Sequence, residues 1–464
     1  MKKSAPGYIH GSIGGTMIKT ALSMIPATLA MSGYNIADTY FVAQLGTIPL
    51  AAMGFTFPVI MLVGCVYRGI AVGAMTPLSH AFGGSKAAKA AKVASSGLLL
   101  MVLWSVFTGI IGSLTIAWTF RKFGAGNDTM PLIHAYMVIW YLGSVTMSLS
   151  MAGNDFLIAS GAPRAAATMM MAGMIVNVIL DPICIFGWGP IPAMGVCGAA
   201  LATIISQGLS AVVLLHIIHH RYHLLTLKIF EWRLLRSSWS VIMRVAIPSI
   251  AGMLLMPIGN GIITRIVAEF GDTAVAACAA AGRLEMVAFV VPMSLGMALM
   301  PMIGQNFGAR LYERIDQCRR FAVRFAGFFE LGMAVIFFVA APWMVKWFTD
   351  DPHVETIMIS YLRIIPLGFG MTEIHRYCGF IFTGCNHPKA AAWLNALRIL
   401  GLLVPFSLLA LVFNSLDVLF AARLIADVIA GGVGMWLVRR MTRQLLSRRP
   451  KPNATSQTSI PETV

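Results

Sequence analysis

The chain has 464 residues, of which 58% are hydrophobic and only 11% charged, and its formal net charge is +16. Soluble globular chains carry roughly 25% charged residues, so this composition, with a mean hydropathy of +0.79, excludes a soluble domain and specifies an integral membrane protein. The basic excess does not point to nucleic acid, because Lys and Arg occupy alternate loops instead of one soluble face.

Taken in chain order, Met1-Lys2-Lys3 precedes an apolar run that is too long for a signal-peptide core and carries Tyr34, Asn35, Asp38 and Thr39, so it reads as a first span. About 12 spans of roughly 20 residues fit the length. They are expected at 13–44, 50–82, 91–120, 130–160, 165–188, 194–218, 238–269, 275–307, 318–346, 354–384, 389–413 and 417–441. Basic groups fall in every second connection, at Lys86, Lys89 and Lys92, at Arg164, at Arg221 to Arg236, at Arg310 to Arg320, at Lys389 and from Arg439 to Lys451. The connections between them are neutral or acidic, with Arg121, Lys122 and Lys346 as exceptions. Positive charge marks the cytoplasmic side, so both termini are expected there.

The halves repeat at an offset of about 225 residues. Ala81-Phe82-Gly83-Gly84 corresponds to Asn306-Phe307-Gly308-Ala309, and Pro163 to Pro388. Leu50-Ala51-Ala52 corresponds to Val275-Ala276-Ala277 at the same offset. Six spans per half is an even number, so the repeats have parallel topology. The fold class is therefore all-α, integral to the membrane, with two six-helix bundles. The expected divisions are an N-lobe at 1–218, a cytoplasmic linker at 219–237, a C-lobe at 238–445 and a polar tail at 446–464.

Two acids stand inside otherwise apolar stretches of the first half. A carboxylate at bilayer depth costs about 2.5–3.5 kcal/mol on insertion scales, so Asp38 and Asp181 are candidates for a cation or proton site. Asn177 and Asp181, at i and i+4, share a helix face, and Pro182 leaves the carbonyl of Val178 without its helical partner. Those oxygens suit a hard cation. Two carboxylates in one dry pocket do not both stay ionised cheaply, so the pair would hold one proton or one Na⁺. The second half carries Glu285 beside Arg283, Glu373 near His375 and Arg376, and Asp427 after Arg423. Glu285 and Asp427 read as structural ion pairs, while His375 is a candidate proton relay to Glu373. Arg68 has no acid near it in sequence and needs a partner across a helix interface.

The seven cysteines show no C-x-x-C spacing and read as packing residues. Most of the 31 methionines do too, although Met169, Met170, Met171 and Met174 suggest a compliant binding surface. No nucleotide-binding or catalytic motif is present, which argues against an enzyme and for transport driven by an ion gradient, without a cofactor beyond the coupling H⁺ or Na⁺.

Tyr34-Asn35-Ile36-Ala37-Asp38-Thr39 with Gln44-Leu45-Gly46 resembles the first helix of the multidrug and toxic compound extrusion (MATE) family. Asn177-Val178-Ile179-Leu180-Asp181-Pro182 is similar to its fifth helix, and Gly304-Gln305-Asn306-Phe307-Gly308-Ala309 to the end of its eighth. The resemblance covers residues from about 10 to 445 and is nearest the DinF-like prokaryotic branch. It implies a monomeric multidrug antiporter among membrane lipids, exchanging cationic or amphipathic drugs or toxic metabolites for H⁺ or Na⁺. It also implies a site of Asp38, Asn177 and Asp181, joined by Asn154 and Thr203. The NorM-like branch places an acid within the seventh helix, which this chain lacks before Glu269. The alternatives are a lipid-linked oligosaccharide flippase of the same superfamily, expected to have a cationic cavity, and an uncoupled receptor or channel.

Overall fold

In the computed structural model, residues 8–226 and 231–447 are described, without the side chains of Met31, Ser32, Tyr34, Asn35 and Ile36. Lys2, Lys3, Lys228 and the tail from 448 lie outside the described residues. The first half consists of α1 (Ile13–Ala43), α2 (Thr47–Gly83), α3 (Ala87–Lys122), α4 (Met130–Ala159), α5 (Pro163–Phe186) and α6 (Val196–His220). The second consists of α7 (Trp232–Ala268), α8 (Asp272–Ala288), α9 (Val290–Gly308), α10 (Tyr312–Lys346), α11 (Pro352–Ile364), α12 (Phe369–Gly384), α13 (Pro388–Ala396), α14 (Val404–Phe413) and α15 (Leu416–Ser447).

The nine helices of the second half make six spans, because three spans are interrupted. α8 and α9 meet at a 57° bend. Pro366 sits in a 3₁₀ turn, Ile365–Gly368, that joins α11 to α12. A π-helical stretch, Leu397–Leu403, joins α13 to α14. Ten helical segments are long and apolar enough to cross a membrane, and the bent pair makes an eleventh. The twelfth is α1, 31 residues long but less apolar, since it carries Thr16, Lys19, Thr20, Ser23, Thr28 and Asp38. Pro26 lies inside this helix. α2 and α7, at 37 residues each, are about 55 Å long and outrun the hydrocarbon core. That length explains why helices begin before the expected span edges: α7 starts at Trp232, inside the stretch read as a linker.

Within the first half, α4 packs on α3 and α6, and α5 on α1 and α6; within the second, α12 packs on α9, α10 and α15. The halves meet where α2 lies along α7 and α9, and where α1 lies along α9. Small residues allow that approach. A Cβ on Gly73 would meet Ala246 Cβ at 2.7 Å, and one on Gly69 would overlap Ile250. At the end carrying the basic loops, a Cβ on Gly83 would overlap the Gln305 carbonyl, and one on Gly308 would overlap that of His80. A segment before α1 straps this junction. Tyr8 N donates to Gln305 Oε1 at 2.8 Å, Asn306 Nδ2 donates to Tyr8 O at 3.2 Å, and Arg314 Nη1 donates to Gly11 O at 3.0 Å. Halfway in, the Thr28 and Ser294 hydroxyls are 2.8 Å apart. α8, at the opposite end of the bent span, packs on α7 and α11 instead of the first half. The halves are therefore joined toward the basic end.

Candidate ion-coupling site

The first-half site is built on α5. Asn177 and Asp181 are both fully buried, and Asn177 Nδ2 donates to Asp181 Oδ1 at 3.2 Å, as their i, i+4 spacing requires. Pro182 stays inside the helix, next to the carboxylate. Asp38 is 8% exposed on α1, which packs along α5, and it stands close enough to Asp181 for the two carboxyls to interact. Sequence spacing alone did not decide that proximity. Asn154 on α4 and the buried Thr203 on α6 lie on the two other helices that pack against α5.

Four buried oxygens here accept no hydrogen bond: Asp38 Oδ1, Asn154 Oδ1, Asn177 Oδ1 and Asp181 Oδ2. Each orphaned buried acceptor costs about 1–3 kcal/mol, so a set drawn from one group of neighbouring helices suits a ligand that accepts oxygens. Both a proton and a hard monovalent cation do so. Neither Asp38 nor Asp181 takes part in an ion pair among the described residues. Arg68, the cation nearest in kind, is already committed: its Nη1 lies 2.9 and 3.0 Å from the two oxygens of Asp155. Asp155 is the interface partner that Arg68 needed. It lies 87 positions away, beside Asn154, and sequence reasoning passed over it.

In the second half, local sequence suggested the wrong partners. Glu285 does not pair with Arg283, which is exposed; it takes Arg423 from α15 and the Tyr361 hydroxyl at 2.6 Å. Asp427 takes Arg398 Nε at 2.6 Å and the Thr372 hydroxyl at 2.8 Å, leaving Arg423 Nε at 4.0 Å. Arg398 lies on the π-helical stretch of its span. Glu373 Oε2 stands 3.0 Å from Arg376 Nη1. His375 is separated from Glu373 because residues two apart point away from each other on a helix, and its Nε2 meets Asn395 Oδ1 at 2.9 Å. The relay expected between them is not formed. Sequence reasoning also missed Glu330 on α10, which is fully buried with neither carboxyl oxygen hydrogen-bonded. Its one signal was a lone acid in the apolar run from Phe325 to Val345.

Two six-span bundles joined at one end, with buried acids in each, define a polytopic membrane transporter and not an enzyme. The MatE family profile matches residues 24–183 and 248–409, and the chain belongs to this family. The FAD transporter of Shewanella oneidensis is 32% identical over 442 residues, covering 95% of this chain and 97% of that protein. The multidrug export protein MepA of Staphylococcus aureus is 26% identical over 377 residues, 79% of this chain and 80% of that protein. An outward-facing multidrug resistance MATE transporter of the MOP superfamily superposes with a TM-score of 0.89 at 25% identity, covering 96% of this chain and all of that chain. Vibrio cholerae VcmN in its bent form gives 0.88 at 26% identity, over 93% and 97% of the two chains.

Proposed function

We propose that the protein is a secondary active exporter that exchanges cationic or amphipathic small molecules for H⁺ or Na⁺ across the plasma membrane, with the basic end and both termini in the cytoplasm. The observation that carries this reading is the pair of buried, unneutralised acids Asp38 and Asp181, set among oxygens that lack donors. In this reading the lobes, joined at the basic end, form an outward-open state. Loading the acid pair from outside and binding drug from inside are made mutually exclusive by the packing of α1 on both α5 and α9. Exchange results only if the ion and the drug favour different lobe arrangements.

A second reading is favoured by the 32% identity to the Shewanella FAD transporter: the exported molecule would be a flavin dinucleotide, an anion. The flippase reading is less favoured, because Arg68, Arg376, Arg398 and Arg423 each have a carboxylate partner and leave no free cationic surface among them. Proteoliposomes offered ethidium and then FAD under an imposed ion gradient separate these readings. Gradient-dependent ethidium movement supports drug exchange, and FAD movement without ethidium movement supports the flavin reading. Movement of neither with any gradient contradicts both.

A further inference from the structure

The second lobe buries more negative than positive charge. At the level of the π-helical stretch, four carboxyls, Glu285, Glu330, Glu373 and Asp427, are buried against three guanidiniums, those of Arg376, Arg398 and Arg423. Arg283, Arg324 and Arg363 are exposed and do not enter this balance. Glu285 and Asp427 are fully provided with donors. The uncompensated charge therefore falls on the other two acids. Glu373 has one guanidinium contact, at 3.0 Å, and Glu330 has no donor at all.

These two acids face each other. Glu330, near the midpoint of the 35-residue α10, has its Cβ 3.8 Å from the Cβ position of Gly370 on α12. Glu373 is one turn further along α12 and on the same face. The charged groups whose fields reach Glu330 are Glu373 and Arg376 from α12 and Glu285 from α8; the Tyr377 phenol also stands beside Glu373. His375 does not supply the missing positive charge. An imidazolium needs acceptors at both nitrogens, and its buried Nδ1 has none. No group of three or more His, Cys, Asp or Glu side chains able to hold a metal ion occurs among the described residues. An unpaired buried carboxylate is costly enough that such a group neutralises instead.

We propose that Glu330 and Glu373 share one exchangeable proton, held at a second-lobe site separate from the Asp38–Asp181 pair. With that proton the cluster is electroneutral, three carboxylates against three guanidiniums. Without it, a net negative charge is stranded between α10 and α12, and a cationic substrate entering the lobe would relieve it. This deepens the exchange reading above by adding a second titrating site, but the proton's presence does not depend on which molecule is exported.

Infrared difference spectroscopy on the full chain in lipid tests it. In the Asp38→Asn/Asp181→Asn background, which removes the first-lobe acids, a protonated-carboxyl stretch should be present at neutral pH and shift in deuterium oxide. Adding either Glu330→Gln or Glu373→Gln should abolish it, because each leaves three acids for three arginines. Both are close to isosteric, and an unchanged thermal transition checks that the fold persists. Acid-jump proton uptake should fall by one proton per chain in either variant. A stretch that survives both substitutions, its absence before either is made, or binding of Na⁺ in place of a proton would overturn the proposal. Failure of gradient-driven transport would leave these signals intact, so the two readings fail separately.

Discussion

His80 and Gln305 occupy equivalent positions in the two halves, 225 residues apart, and each reaches across to the other lobe. His80 Nε2 donates to the Gly384 carbonyl at 2.7 Å, and Gln305 Nε2 donates to the Ala159 carbonyl at 2.7 Å. The two acceptors are again 225 positions apart, and both end the last helix of a span. Gly83 and Gly308, a third pair at that offset, provide the close backbone approach on which both bonds depend. The repeat seen in the sequence thus becomes a two-fold latch that joins the lobes at the basic end.

Breaking one arm of the latch should loosen the joined state without unfolding either lobe. A neutral hydrogen bond is worth about 1 kcal/mol, so His80→Ala or Gln305→Ala should shift the lobe equilibrium roughly fivefold. Gly83→Val, which forces a side chain into the Gln305 backbone, should go further and abolish transport. Hydrogen exchange over 80–86 and 303–311 reads the opening directly, and unchanged protection there would reject the latch.

Arg68 and Asp155 should behave as a structural unit. Arg68→Ala strands a carboxylate that is 2% exposed and should cost about 3–5 kcal/mol of stability. Adding Asp155→Asn should recover most of the loss, because the stranded charge is then gone. Thermal denaturation in detergent of the single and double variants measures both effects.

Asn177 donates the one hydrogen bond that Asp181 receives among the described residues. A hydrogen bond to a charged group is worth about 1.5–3 kcal/mol, so Asn177→Ala should weaken or strengthen ion loading by about tenfold or more. The direction is informative. If the carboxylate binds Na⁺, loss of its donor also removes an amide oxygen and weakens loading. If it binds H⁺, loss of a donor to the ionised form favours the protonated acid and strengthens loading. Transport measured against the concentration of each ion distinguishes the two.

His375→Gln should leave the pH dependence of transport unchanged, since His375 is bonded to Asn395 and separated from Glu373. A pH profile displaced by a whole unit would restore the relay that the geometry rejects.

How much of this was legible in the sequence follows from the range of each interaction. Asn177 and Asp181 were readable because their relation is one helical turn, and Asp38 because a carboxylate in an apolar run is conspicuous. The repeat was readable because the glycine motifs that allow close approach have few alternatives. Span edges were not, since hydropathy marks the hydrocarbon boundary while helices such as α3 and α10 run past it into the basic loops. Partners distant in sequence were also hidden. Arg68 meets Asp155 at a separation of 87, and Glu285 meets Arg423 at 138, where nearby Arg283 looked sufficient. Glu330 went unnoticed because no neighbour in sequence gives it a role; only the packing of α10 on α12 does.

The central claim is that Asp38 and Asp181 couple an ion gradient to export. Its most direct test is ethidium efflux from vesicles with a proton gradient and a sodium gradient imposed separately, comparing the native chain with Asp38→Asn and Asp181→Asn. The account predicts that one gradient drives efflux in the native protein and that both variants, present in the membrane at normal levels, lose it. Gradient-driven efflux at the native rate in both variants would contradict the assignment.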